Sequence, residues 1–285
     1  MICNIEKKHN IMIKTEPLEP EDYFQPTGIC ADPGCRRLQQ GIQVITPHSN
    51  VAMKHAQRRD IENLVQEALA VQPRVNIYLF DDWLPLREDS CRHTLLSDHL
   101  LRKFGANRIR IWAPNLKADV VAAHEALSEG NQCPMGWITA ACGCWHTFNT
   151  RWAPDICMAG GLDVVFADCF RGFEHGCGAL VADLLKKRMF RRRTDANDKR
   201  RCHLTFAVSD RHQRSQGWSA ATATLQVLID MGALFSDENC PYVTRVLSQA
   251  AYGRTMHYFK AEVCERQWVQ SLPGFVVQIQ HMQKE

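Results

Sequence analysis

The sequence lacks several features that would narrow its function at once. No apolar run approaches the roughly 18–20 residues that a membrane-spanning helix needs, so no transmembrane segment is expected. The opening stretch, MICNIEKKHNIMIKTEPLEPEDYF, has no uninterrupted apolar core of a secretory leader, which predicts a cytoplasmic chain. There is no internal repeat and no low-complexity tract. No glycine-rich G-x-G-x-x-G turn follows the first strand-like run, VNIYLF. Without a leader, thirteen cysteines in 285 residues read as reduced thiols, some of them on metal, rather than as a disulfide framework.

What is present suits a folded chain of one large domain or two small ones. Hydrophobic residues make up 45% and charged residues 23%, ordinary values for a globular protein. The net charge of +3 hides an asymmetry. The run KKRMFRRRTDANDKRR, residues 186–201, holds nine basic residues against Asp195 and Asp198, a local +7 that leaves −4 for the rest. A block of this kind either binds phosphate-rich partners, nucleic acid or an anionic membrane surface, or forms a solvated helix end and loop. In GALVADLLKKRMFRRR an amphipathic helix would set Leu184, Leu185 and Met189 against Lys186, Lys187, Arg188, Arg191, Arg192 and Arg193.

Residues 1–45 read as an arm, acidic and proline-bearing in PLEPEDYFQP. From about residue 48 apolar spacing alternates between helical and strand-like periods. A helix is expected over 48–70, a strand over 75–80, a helix from Ser90 closed by Gly105, and a strand over 108–114. A helix over 117–129, a cysteine-rich insertion, a strand over 162–170 and the helix of the basic block follow. A strand over 202–209, a helix capped by Ser219 and ended by Gly232, and strand-prone stretches to 280 complete the series. Such alternation predicts an α/β fold: a Rossmann-like, mostly parallel sheet with helices on both faces. The expected organisation is an arm at 1–45, a Rossmann-like core at 46–210, and a C-terminal extension of helix and strands at 211–285. In such sheets ligands bind at the carboxyl ends of strands, which singles out Asp81, Asp82, residues 114–119 and Asp168 onward.

Three sets of residues offer chemistry. Cys142, Cys144, His146 and Cys157 supply three sulfurs and a nitrogen within sixteen positions, with Cys133 and His93 as substitutes. Zinc takes such ligands, although C-x-C-x-H is tighter than a usual zinc knuckle, and inert buried thiols or a reactive thiol are the alternatives. FDDWLPLRE, residues 80–88, places an acid where it can meet a ribose or cap a helix. His55 lies within the first helix, where a histidine is either a surface or core residue or a nucleophile.

In order, these pieces are a helical histidine, an acid after the first strand, an arginine soon after, a P-x-x-x-x-D element, a cysteine-rich insertion and a buried strand. This layout resembles the methyltransferase–guanylyltransferase capping enzymes of alphavirus-like RNA viruses over roughly residues 46–200. MKHAQRRDIENLV is similar to the family's nucleophile segment, with His55 in the nucleophile's place. FDDWLPLR is similar to its acid-glycine strand end, with Asp81 and Arg87 aligned and Asp82 or Trp83 where the glycine would stand. Asp119 in RIRIWAPNLKADVVAAH corresponds to the second acid, and Cys142, Cys144, His146 and Cys157 stand where the family's zinc ligands fall. The resemblance implies N7-methylation of GTP with S-adenosylmethionine, a covalent histidine–m7GMP adduct, and transfer to an RNA 5′ end. It implies that Asp81, Arg87 and Asp119 hold the methyl donor and that the basic block meets membrane. Two rivals are open: a zinc-stabilised nucleic-acid binder with a winged-helix-like C-terminal part whose wing is TMHYFKAEV, and a non-catalytic methyltransferase-like scaffold. The oligomeric state is open too.

Overall fold

The computed structural model describes residues 51–271, apart from 83, 86–92, 116–117, 131–137, 143–144, 169–171, 174–175, 196–197, 199, 238 and 253–254. The expected arm and the expected strand near the C-terminus lie outside the described residues. Helix α1 spans Val51–Val71, and β1, Val75–Leu79, is buried at every position. The two-residue strands β2, Leu84–Pro85, and β3, His93–Thr94, pair antiparallel ahead of α2, Leu96–Phe104. Then come β4, Ile109–Asn115, α3, Ala118–Gly130, β5, Ile138–Cys142, and α4, Trp145–Met158. The chain continues through β6, Val164–Asp168, α5, Cys177–Lys186, and β7, Cys202–Ser209. Short α6, Arg211–Ser215, leads into α7, Ala220–Ser236, and then β8, Tyr242–Tyr252, and β9, Met256–Glu265.

Seven strands form one mixed sheet in the order β5-β4-β1-β6-β7-β9-β8. The pairs β4–β5 and β6–β7 are parallel, while β9 runs antiparallel to both β7 and β8. The expected α/β, Rossmann-like class is therefore present, with an antiparallel edge added. After β1 the chain steps outward to β4 and β5, then returns to β6 on the other side of β1. That reversal makes the carboxyl end of β1 the position where open α/β sheets hold ligands.

Two compact units are distinguished, one of Met1–Arg59 with Ile77–Arg151, the other of Asp60–Asn76 with Trp152–Glu285. In the first, the core is built on Ile77, Tyr78, Leu79, Ile111 and Trp112, all fully buried. The Tyr78 hydroxyl is satisfied inside it by donating to Asn149 Oδ1 at 2.6 Å. In the second, Phe206 and Phe259 stack at 5.0 Å between ring centroids across the β7–β9 pair, and Leu180, Val181 and Leu184 of α5 are buried.

Several elements differ from expectation for tertiary reasons. Helix α2 begins at Leu96 rather than Ser90, because His93 and Thr94 pair with Leu84 and Pro85 and a distant carboxylate takes the helix's first N–H groups. Helix α5 stops at Lys186 instead of running through 193. Arg188 turns with φ 54°, and the chain then buries Phe190, which bridges to Leu162. Helix α7 passes through Gly232 to Ser236, since Met231 and Phe235 keep its apolar face buried. Burying a phenylalanine contributes about 2–3 kcal/mol, which outweighs the roughly 1 kcal/mol that an internal glycine costs. The cysteine-rich insertion is no insertion: it is the strand β5, in parallel register with β4, and the helix α4. Finally, TMHYFKAEV is not a wing. It is β9, an interior strand flanked by β7 and β8, with Phe259 and Ala261 fully buried, so the winged-helix reading is corrected.

The expected cap at Ser219 is present: its Oγ accepts from Thr222 N at 3.0 Å. Ser219→Ala is expected to cost about 1 kcal/mol, seen as a lower urea midpoint with an unchanged m-value.

Candidate functional site

The acid at the carboxyl end of β1 organises the first unit. Asp81 is 5% exposed, and its Oδ1 accepts from Leu96 N at 2.9 Å while Oδ2 accepts from Ser97 N at 2.9 Å. A carboxylate from fifteen residues upstream thus caps α2, where two orphan N–H groups and the positive end of the helix dipole favour negative charge. His124 Nε2 of α3, itself fully buried, lies 3.2 Å from Oδ2. Arg58 of α1 places Nη2 4.0 Å from Oδ1 and donates to Asp82 O at 2.6 Å and to Thr94 O at 3.0 Å. Asn115, closing β4, donates its side-chain amide to Asp81 O at 2.6 Å. Burial pushes the Asp81 carboxyl up, but the His124 bond and charge, the Arg58 charge and the Ser97 bond outweigh it and hold the group at about 2. Asp81 is therefore an anion at neutral pH whose oxygens are engaged within the protein.

This geometry decides what the site can hold. A dinucleotide needs the N–H groups at a helix N-terminus for its pyrophosphate. At α2 those groups are taken by Asp81, and the connection over residues 80–95 has no glycine to bring backbone close to a phosphate. S-adenosylmethionine carries a sulfonium and an α-ammonium and no phosphate. At this strand end the half-buried Asp82 is the carboxylate whose charge matches such a ligand's cationic groups.

The other sequence-derived site residues are placed as follows. His55 is half-buried on α1, three residues before Arg58. Arg87 lies outside the described residues. Asp119 is in the first turn of α3, but its side chain is not among those described. The arginine that meets the β1 end is Arg58. It was missed because charge alone does not distinguish it from its neighbour Arg59. His124 was likewise missed, since a single histidine in an alanine-rich helix carries no signal without its partner.

The four-ligand zinc site is corrected. His146 and Cys157 share helix α4, eleven residues apart, which separates them by about 16 Å at the usual rise. Zinc holds its ligands within roughly 2.0–2.3 Å, so two of them sit no more than about 4–5 Å apart. Cys157 Sγ instead donates to the carbonyls of Arg188 at 3.5 Å and Lys187 at 3.7 Å. The side chains of Cys142, Cys144 and Cys133 are outside the described set. Among the described residues no group of three His, Cys, Asp or Glu could hold a metal.

The basic block is largely engaged with its own protein. Arg191 is buried and makes two 2.6 Å bonds to Asp163, Lys187 pairs with Asp183, Arg200 with Asp198, and Arg201 with Glu262. Arg193 lies over the Trp268 ring at 5.8 Å. Lys186, Arg188 and Arg192 are the exposed members of the six that the amphipathic helix was to present. No helix among the described residues is long and apolar enough to cross a membrane.

No protein-family model matches the chain, and no curated protein matches it in sequence. Solved structures resemble it distantly. A candidate SAM-dependent methyltransferase from Streptococcus mutans shares 10% identity over 72% of this chain and 48% of its own, with a TM-score of 0.40. A candidate O-methyltransferase from Klebsiella pneumoniae shares 12% over 82% of this chain and 90% of its own, at 0.42. A methyltransferase from Geobacter sulfurreducens shares 13% over 79% and 93%, at 0.33. This chain spans about half the length of the first of these. None of the three is described as a capping enzyme.

Proposed function

We propose that the chain is an S-adenosylmethionine-dependent methyltransferase with its donor site at the carboxyl end of β1. The observation that carries this reading is the reversal of strand order at β1, which ends in two consecutive acids and no phosphate-binding turn. In it, Asp81 is a positioning residue that sets the β1 end and the start of α2, and Asp82 is the acid that meets the donor. When bound, the donor supplies an electrophilic methyl group. The chain's own contribution is to hold it with fixed charges and to keep the β1 end rigid through Arg58, His124 and Asn115.

Guanylyl transfer through His55 forms no part of the proposal, because the phosphates it requires find their helix N-terminus already occupied by Asp81. A second reading, a methyltransferase-like scaffold without catalysis, is favoured by the complete engagement of Asp81. Calorimetric titration separates the two. The methyltransferase reading expects S-adenosylmethionine and S-adenosylhomocysteine to bind at one site per chain. Asp82→Ala should weaken that binding by at least about tenfold, the value of one charge-assisted hydrogen bond. Absence of binding by either compound leaves the scaffold.

A further inference from the structure

A second constellation lies wholly within the other unit and owes nothing to the donor site. Asp210 follows β7, His257 stands at the start of β9 opposite Val208, and Thr224 is in the second turn of α7, the helix fixed by the Ser219 cap. His257 Nε2 is 2.7 Å from Asp210 Oδ2, and His257 Nδ1 is 3.0 Å from Thr224 Oγ1. Asp210 and His257 are each 3% exposed, while Thr224 is half-buried.

The chemistry of the three groups sets the direction of the hydrogen bonds. An ionised carboxylate only accepts, so Nε2 carries the imidazole proton and Nδ1 is left as an acceptor. The Thr224 hydroxyl then donates to Nδ1, which places a hydroxyl, a base and an orienting acid in the order that activates a nucleophile. Asp210 Oδ1 is buried with no hydrogen-bond partner. A carboxylate so poorly compensated gains most from a positive charge on its neighbour, and His257 acquires that charge when it takes the threonine proton. Apolar residues of the same element are exposed: Trp218, just before α7, and Leu225 and Ile229 on it, at 36%, 49% and 47%.

The geometry points to Thr224 as an activated hydroxyl nucleophile, with His257 as its general base and Asp210 as a positioning residue, acting on carboxylic esters with apolar acyl groups. Thr224 Oγ bonds to the carbonyl carbon and its proton passes to His257 Nδ1. The bond to the leaving alcohol's oxygen breaks, and the alcohol departs with that proton. Water then attacks the acyl-threonine by the same route, releasing the acid and restoring the hydroxyl.

An alkyl fluorophosphonate tests this directly, because it transfers its phosphonyl group to an activated hydroxyl and expels fluoride. The full chain is expected to take up one phosphonyl group, located on Thr224 by peptide mass spectrometry. Thr224→Val, nearly equal in shape, should abolish it, and Thr224→Ser should retain it. Asp210→Asn should slow labelling by about 100-fold or more, since it disturbs the tautomer that lets Nδ1 accept, and Asp210→Glu should recover part of the rate. Melting curves identify any variant that fails to fold, and Thr224→Val decides the matter in that event. A wild-type chain that stays unlabelled, a label on another residue, or a Thr224→Val chain labelled at the wild-type rate would each overturn the proposal.

Discussion

Asp81→Asn is expected to destabilise the chain by about 3–5 kcal/mol at neutral pH, the usual cost of breaking a buried ionic arrangement from one side. The asparagine keeps the shape but turns an amide donor toward a backbone N–H of Leu96 or Ser97, donor against donor. His124 and Arg58 lose their anion at the same time. The wild-type protein should show the same dependence through pH. The Asp81 carboxyl titrates at about 2 in the folded chain and near 3.8 when unfolded. A depressed carboxyl contributes stability that is fully present above the unfolded value and is lost as pH falls through the folded one. That difference corresponds to about 2 kcal/mol between pH 4 and 2. Urea unfolding of both proteins at pH 7, 4 and 2 is the check. The gap between them should narrow over that interval, and a gap independent of pH would show that Asp81 does not act through its charge.

The second large effect belongs to the other unit. Asp163 is fully buried, receives two bonds of 2.6 Å from Arg191 and accepts a third from Asn76 N at 2.8 Å. Arg191 also donates to Gly160 O at 2.9 Å. Arg191→Met leaves the carboxylate buried without its cation and is expected to cost about 3–5 kcal/mol. Adding Asp163→Asn removes the stranded charge while keeping an acceptor for Asn76 N, so the double variant should be more stable than Arg191→Met alone. A coupling of about 2 kcal/mol in the double-mutant cycle is expected. Strict additivity in thermal or urea unfolding would mean that the two side chains do not depend on each other.

The Arg191–Asp163 pair also explains why a charge count misleads. Read along the chain, residues 186–201 form a cationic block; read in space, its strongest member is a core residue. The thiol and imidazole pattern over 142–157 misleads similarly. Closeness in sequence suggests a shared ligand, whereas a helix separates residues eleven apart by three turns.

By itself the sequence determined most of the strands and helices, though not β5 or α4, because buried strands such as VNIYL and CHLTFAVS need continuous apolar runs and amphipathic helices need a 3.6-residue period. It also determined the Ser219 cap and the acid at the end of β1, which are local chemistry. Only the tertiary structure decided that Asp81 faces inward to cap α2 and that Arg58 and His124 join it. The same holds for β9, an interior strand rather than a wing, and for Asp210, His257 and Thr224, which meet from three separate elements. Hydrogen bonds between groups 15 to 47 residues apart depend on chain crossing, which no local pattern encodes.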